Sequence, residues 1–194
     1  MKKKNGKSDR IQFINQFLSK PAKVGAVLPS SKFLTKKILS FINFKQENLT
    51  IVEYGPGTGP FTKEIVQSLK QNDRLIVVEQ NKKFVENLMD KFGNCNNISI
   101  IHDSVTNISE ILEKESVKKV DYIVSGIPFT SLSKDVTDEI MISTAKVMSD
   151  NSRFLTFQYS RFKFRTFSNF FKIESKKFVL RNIPSAYVIC MKNK

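Results

Sequence analysis

One stretch limits the fold more than any other. Residues 49–54 (LTIVEY) form a short β-branched run that breaks into Gly55-Pro56-Gly57-Thr58-Gly59-Pro60, and a helical pattern then resumes through Phe61, Ile65, Val66 and Leu69. Strand, glycine turn and helix in that order open a parallel α/β sheet, in which ligands collect at the carboxyl ends of the strands. Glycine lets the backbone turn sharply and approach a ligand with no Cβ in the way, and the helix that follows presents free amide donors. Taken alone, a G-x-G-x-G turn suits an ordinary tight connection as well as a ligand loop, so its surroundings have to decide.

Those surroundings repeat the same unit. Residues 74–79 (RLIVVE) read as a second buried strand; Phe84, Leu88 and Phe92 mark a helix stopped by Gly93-Asn94; residues 98–102 read as a third strand and 105–112 as a short helix. A fourth strand, 120–125 (VDYIVS), runs into Gly126-Ile127-Pro128-Phe129, followed by a helix at 136–148, a fifth strand at 153–159 and a closing pair at 178–181 and 186–191. Two helices precede the first strand. Ser8 or Asp9 caps one bearing Ile11, Ile14, Phe17 and Leu18, which Pro21 ends; Ser30-Ser31 caps another bearing Leu34, Ile38, Phe41 and Ile42. The expected fold is therefore α/β: a single Rossmann-like domain with a mainly parallel seven-stranded sheet, helices on both faces, and an N-terminal amphipathic helical extension. The chain divides into a basic arm with N-terminal helices (1–45) and a core (46–194).

Composition removes several classes of function. With 40% hydrophobic residues, seven Gly and six Pro among 194, the chain is neither disordered nor fibrous. Two Cys, Cys95 and Cys190, and the lone His102 offer no disulfide framework and no zinc site, so no metal is expected. No apolar run approaches the roughly 20 residues that cross a bilayer, and the Lys-rich start lacks a signal peptide's apolar stretch; a cytoplasmic location is expected. The net charge of +14 is unevenly spread. Residues 1–37 carry ten Lys/Arg and one acid, residues 153–194 again ten and one, and the middle twelve against sixteen. Two basic ends suit a polyanionic surface, either nucleic acid or anionic membrane, although solvated lysines of an AT-rich genome would give the same count.

Acids stand at three successive strand ends. Glu53 precedes the turn; Glu79 lies 20 residues after Gly59, where an acid can accept from both ribose hydroxyls; Asp103 follows the third strand, in reach of an adenine amino group. Singly, each is as well read as an exposed turn carboxylate. Dinucleotide sites favour G-x-G-x-x-G facing a pyrophosphate, whereas an acid before the turn would repel a diphosphate and suit a ligand with an ammonium and a sulfonium. At these residues the chain resembles the class I S-adenosylmethionine-dependent methyltransferases over essentially its whole length, with E-Y-G-P-G-T-G as first motif. The resemblance implies S-adenosylmethionine as cofactor. Glu53 and the loop with Gly55, Gly57, Thr58 and Gly59 would hold the methionine portion, Glu79 the ribose, and Asp103 the adenine, with Tyr54, Gln80, Ser104 and Ser125 also among the cofactor-binding residues.

Two branches are similar, the rRNA adenine dimethylases and the bacterial phospholipid N-methyltransferases. Adenine methylases place Asn or Asp, an apolar residue, Pro and an aromatic after the fourth strand, so that an amide accepts the amino hydrogens and the ring stacks on the base. Here the stretch is Ser125-Gly126-Ile127-Pro128-Phe129, which removes one acceptor but leaves Phe129 to stack. Residues 24–31 (VGAVLPSS), 125–132, 157–159 (FQY) and 182–186 (NIPSA) resemble the phospholipid branch, and the chain stops without the appended helical RNA-binding domain of the dimethylases. The reading that follows is an N-methyltransferase of phosphatidylethanolamine or its partly methylated forms, peripherally bound to an anionic membrane through the helix at 8–20; the alternatives are an rRNA adenine N6-methyltransferase, nucleic acid being the less favoured partner, and a non-catalytic nucleoside- or lipid-binding module. That helix is equally describable as one packed on the sheet. Ser125, Pro128, Phe129 and Tyr159 are the expected catalytic residues on the acceptor side, the Tyr159 hydroxyl or the backbone carbonyl or side chain around Ser125 taking the amine proton, with Phe129, Tyr159 and Tyr187 aromatic walls for methylated cations and Arg161, Lys163 and Arg165 candidates for the lipid phosphate.

Overall fold

The computed structural model describes residues 32–161, 163–182 and 184–194. Within them the elements run α1 (Lys32–Leu39), β1 (Thr50–Tyr54), α2 (Pro60–Val66), β2 (Arg74–Glu79), α3 (Lys82–Phe92), β3 (Ile98–His102), a 3-10 turn (Val105–Asn107), α4 (Ile108–Lys114), β4 (Tyr122–Ser125), a second 3-10 turn (Phe129–Ser131), α5 (Lys134–Val147), β5 (Arg153–Gln158), α6 (Phe164–Phe170), β6 (Phe171–Val179) and β7 (Ala186–Asn193). The described strands form one seven-stranded sheet in the order β3-β2-β1-β4-β5-β7-β6. β3, β2, β1, β4 and β5 are parallel, and β7 alone runs against its neighbours β5 and β6. The amphipathic extension expected at 8–20 lies outside the described residues, as does the block 24–31.

The central strands are buried on both faces, which is why residues 74–79 show no alternation: Leu75 through Glu79 are all buried. Alternate residues feed two cores. Val52, Tyr54, Ile76 and Val78 face α4, α5 and α6 through Ile108, Ile111, Ile140 and Phe167. Ile51, Leu75 and Val77 face α1, α2 and α3 through Leu34, Ile38, Phe61, Ile65 and Leu88. Local capping agrees with the sequence: the Asn81 side chain accepts from the amides of Lys83 and Phe84 at the start of α3, and that of Ser133 from the amide of Val136 at the start of α5.

The end of the sheet departs from expectation. Residues 164–170 form a helix that the sequence reading leaves unassigned, and the sixth strand spans Phe171–Val179 instead of 178–181. β6 is an edge strand whose Lys172, Lys176 and Lys177 are exposed and whose register shifts between Ile173 and Ser175. Charge and a bulge are the usual guards of an edge, and both erase the period-two pattern by which a strand is read.

Candidate active site

The strand order reverses between β1 and β4, so a crevice opens at their carboxyl ends. There lies a cleft lined by Gly55, Glu79, Gln80, Asp103 and Ser104 and walled by Ile127, Pro128, Leu132 and Ile140. A mostly apolar lining with a few converging polar groups is the character of a small-molecule site.

Its floor is the glycine turn. Gly55 and Gly57 have φ of +58°, and no atom lies within 4 Å of where a Cβ on Gly57 would project. The Gly57 N–H donates to Glu79 Oε2 (3.1 Å) and the Asn81 N–H to Glu79 Oε1 (2.8 Å), so the β2 carboxylate ties the turn to the start of α3. Burial raises the Glu79 carboxyl above the usual range, and these amides offset part of the rise. Each oxygen keeps a lone pair for a ligand hydroxyl. Asp103 Oδ1 accepts from the Ser104 N–H (2.6 Å) and the Asn107 amide (2.8 Å), which fixes the carboxylate at the cleft, while the Ser104 hydroxyl caps the 3-10 turn at Thr106.

Beneath the turn sits Glu53, fully buried, with neither carboxylate oxygen in a hydrogen bond. Burial pushes its carboxyl up to about 8; Glu79 adds to the rise, and Thr62, close by but outside hydrogen-bonding geometry, opposes it. An unpartnered acid under a ligand loop is a vacant counter-charge, which fits a cationic ligand. Gly126 closes the arrangement: its N–H donates to the Tyr54 carbonyl (2.8 Å), and a Cβ there would stand 2.5 Å from the Gly55 carbonyl oxygen.

The residues expected around the cofactor are thus partly assembled. Gly55, Glu79, Gln80, Asp103 and Ser104 line the cleft; Gly57 reaches it through Glu79; Glu53 lies below. Gly59, with φ of +83°, starts α2, and the exposed Thr58 offers its carbonyl to Lys91 (3.4 Å). Tyr54 is a correction: its ring is in the core against Phe154, because even-numbered residues of β1 face α5.

Three acceptor-side expectations are also corrected. Ser125 is fully buried, its hydroxyl accepting from the Ile127 N–H (3.2 Å), so it shapes the loop beneath the wall. Phe129 is fully buried edge-on to Phe154 and Phe167, since the 3-10 turn rolls its ring inward. Tyr159 packs on Phe157 on the opposite face of the sheet, its hydroxyl meeting Asn182 and burial raising its pKa. Pro128 alone of that set lines the cleft. Tyr187 packs edge-to-face with Phe164 and tilted against Phe178 and accepts from Arg161 Nε (3.0 Å); Lys163 reaches the Leu132 carbonyl and the Thr137 hydroxyl. The reading missed Leu132 and Ile140 as wall residues and Gly126 as a packing point. Gly126 and Leu132, both inside the block at 125–132, left a signal; Ile140 left none. No group of three or more His, Cys, Asp or Glu among the described residues could hold a metal ion.

Sheet order, glycine turn and strand-end acids define a class I methyltransferase. The family description "Ribosomal RNA adenine dimethylase" matches residues 23–158, and the chain belongs to that family. It is an S-adenosylmethionine-dependent N-methyltransferase. An ornithine lipid N-methyltransferase of Singulisphaera acidiphila is 27% identical over 183 residues, covering 92% of this chain and 93% of that protein. Ribosomal RNA small subunit methyltransferase A of Mycoplasma capricolum is 35% identical over 118 residues, 59% of this chain but 40% of that protein. Among solved structures, the N-methyltransferase NodS of Bradyrhizobium japonicum, bound to S-adenosylhomocysteine, superimposes with a TM-score of 0.69 at 11% identity, covering 93% of this chain and 98% of that one.

Proposed function

We propose that the acceptor is the amine of a membrane lipid, phosphatidylethanolamine or its partly methylated forms being the first candidate, and that the protein works peripherally at the membrane surface. The observation that carries this reading is Phe129. In adenine methylases the ring after the proline stacks on the base; here it is fully buried, and Ser125 replaces the amide that would accept the amino hydrogens. The match to an ornithine lipid enzyme along nearly the whole chain supports the same reading. Family membership and the Mycoplasma relative favour the rival, an rRNA adenine N6-methyltransferase.

S-adenosylmethionine, when bound, supplies a methyl group on a positively charged sulfur. Glu79 and Asp103 are the residues that would hold its sugar and base, and Glu53 its positive charge. Transfer forms an N–C bond as the C–S bond breaks, and the nitrogen must first shed a proton to solvent water, because an ammonium has no lone pair. The apolar wall of Ile127, Pro128, Leu132 and Ile140 excludes water and so lowers the pKa of an amine pressed against it. Orientation against that wall supplies much of the remaining rate.

The test is incubation with methyl-labelled donor and, in parallel, phosphatidylethanolamine, ornithine lipid, and ribosomal RNA. Label in a lipid band and none in RNA is the expected result; label in RNA alone reverses the assignment.

A further inference from the structure

We infer that the β6–β7 tip, together with the start of α1, is a docking surface for an anionic bilayer; this extends the lipid reading above by naming the face that meets the membrane. The tip carries apolar side chains that water would ordinarily exclude. Leu180 is 77% exposed, Phe178 48%, and Phe33 at the head of α1 50%. These are not scattered. The Arg181 guanidinium lies 5.5 Å over the Phe33 ring, which brings the head of α1 to the tip, and Phe178 packs 4.8 Å from Tyr187 across the β6–β7 pair.

Charge says what they face. Lys32, Lys176, Lys177 and Arg181 around the tip are exposed. From residue 153 to 194 the single acid is Glu174, and its carboxylate is taken by Arg153 and Lys192 toward the opposite end of the sheet. Apolar side chains at the apex with a basic collar match the depth profile of a bilayer interface, hydrocarbon below and anionic head groups around. The two rings are already engaged, Phe33 under Arg181 and Phe178 against Tyr187, and Leu180, the most exposed of the three, has no ring for a nucleobase to stack on, which favours lipid over RNA.

Position links the surface to the reaction. Tyr187 pairs with Gln158 at the carboxyl end of β5, so the tip and the cleft mouth belong to the same end of the sheet. A protein seated by its tip therefore turns its cleft toward the head groups.

The experiment is flotation of the full chain with phosphatidylcholine vesicles and with vesicles that also contain phosphatidylglycerol, alongside methyl transfer to a short-chain, water-dispersed phosphatidylethanolamine. The wild-type chain floats with the anionic vesicles. Leu180→Asp lowers that partitioning about tenfold or more, and Lys176→Glu with Lys177→Glu by about tenfold or more. Both variants keep donor affinity and unfolding temperature, and their transfer to the dispersed lipid equals that of the wild type. Variants that float like the wild type overturn the inference. So does tip-dependent, salt-sensitive binding to RNA without flotation. Tip-dependent flotation with no transfer to any amine lipid by the wild type upholds the docking surface and removes the proposed acceptor instead.

Discussion

Replacing Glu53 by glutamine isolates the charge buried beneath the glycine turn. The folded carboxyl titrates at about 8, whereas the unfolded one has the ordinary value of 4.5. Between those values the folded state holds a proton that the unfolded state has lost, so folding becomes less favourable as the pH rises through this window. Its stabilising contribution is complete below 4.5 and gone above 8. At about 1.4 kcal/mol per pH unit, the span amounts to about 5 kcal/mol, and the interval from pH 5.5 to 7.5 to about 3 kcal/mol. Urea unfolding of the wild type and Glu53→Gln across that interval gives a difference curve in which the other titrating groups cancel. The expected difference changes by about 3 kcal/mol in favour of the glutamine variant at the higher pH. The donor, being cationic, draws the proton off: calorimetry at pH 7 in buffers of unlike ionisation enthalpy shows proton release for the wild type and none for the variant, which also binds more weakly. A flat difference curve refutes the burial argument, whatever the affinities do.

Four further outcomes follow from the geometry. Gly126→Ala forces a Cβ against the Gly55 carbonyl, and denaturation should show a loss of about 2 kcal/mol together with weaker donor binding. Glu79→Ala frees the amides of Gly57 and Asn81 and removes the ribose acceptor, so titration calorimetry should record a loss of donor affinity of about tenfold or more. Phe129→Ala should cost about 3–5 kcal/mol of stability, as a core ring does, with little change in the apparent KM for the acceptor in the remaining folded enzyme. Tyr159→Phe should leave kcat within about twofold, since its hydroxyl is engaged on the far side of the sheet; a loss of about a hundredfold or more, the scale of a lost acid–base group, would return the tyrosine to the reaction.

The polar half of the cleft, assigned to the cofactor on sequence, was readable because its parts are written locally. A strand that ends in E-Y-G-P-G-T-G carries its turn with it, and Glu79 and Asp103 stand at the ends of strands that announce themselves by β-branched runs. The acceptor half was not. Its wall joins the Ile127–Pro128 loop to Leu132 and Ile140, and which face of α5 meets the loop is settled by packing against Val105 and Ile108, far away in sequence. Phe129 shows the cost of reading a motif without its geometry: the ring has the right type and spacing to stack on a base, but a single 3-10 turn sends it into the core. Likewise α6 was invisible among six aromatic residues between 157 and 170, which carry neither a cap nor a clean period.

The same distinction separates the polar side of the cleft from its apolar side. Glu79, Asp103 and the turn are held by at least one hydrogen bond each to neighbouring backbone or side chain, and their positions follow from parallel pairing of β1, β2 and β3. The proposed acceptor wall presents only apolar side chains, its backbone held at Ile127 by the Ser125 hydroxyl and at Leu132 by Lys163, and lies at the same end of the sheet as a basic, apolar tip. Recognition of a soluble, polar donor demands fixed directional partners; an acceptor delivered in one orientation by a surface requires only a dry wall and the right approach. A chain built this way can change its amine substrate by altering a few wall side chains while its donor site stays unchanged. Widening the wall with Ile140→Ala should therefore shift the ratio of rates among amines of increasing methylation, measured in one competition assay, and leave donor affinity within about twofold, because the Ile140 side chain makes none of the strand-end acids' hydrogen bonds.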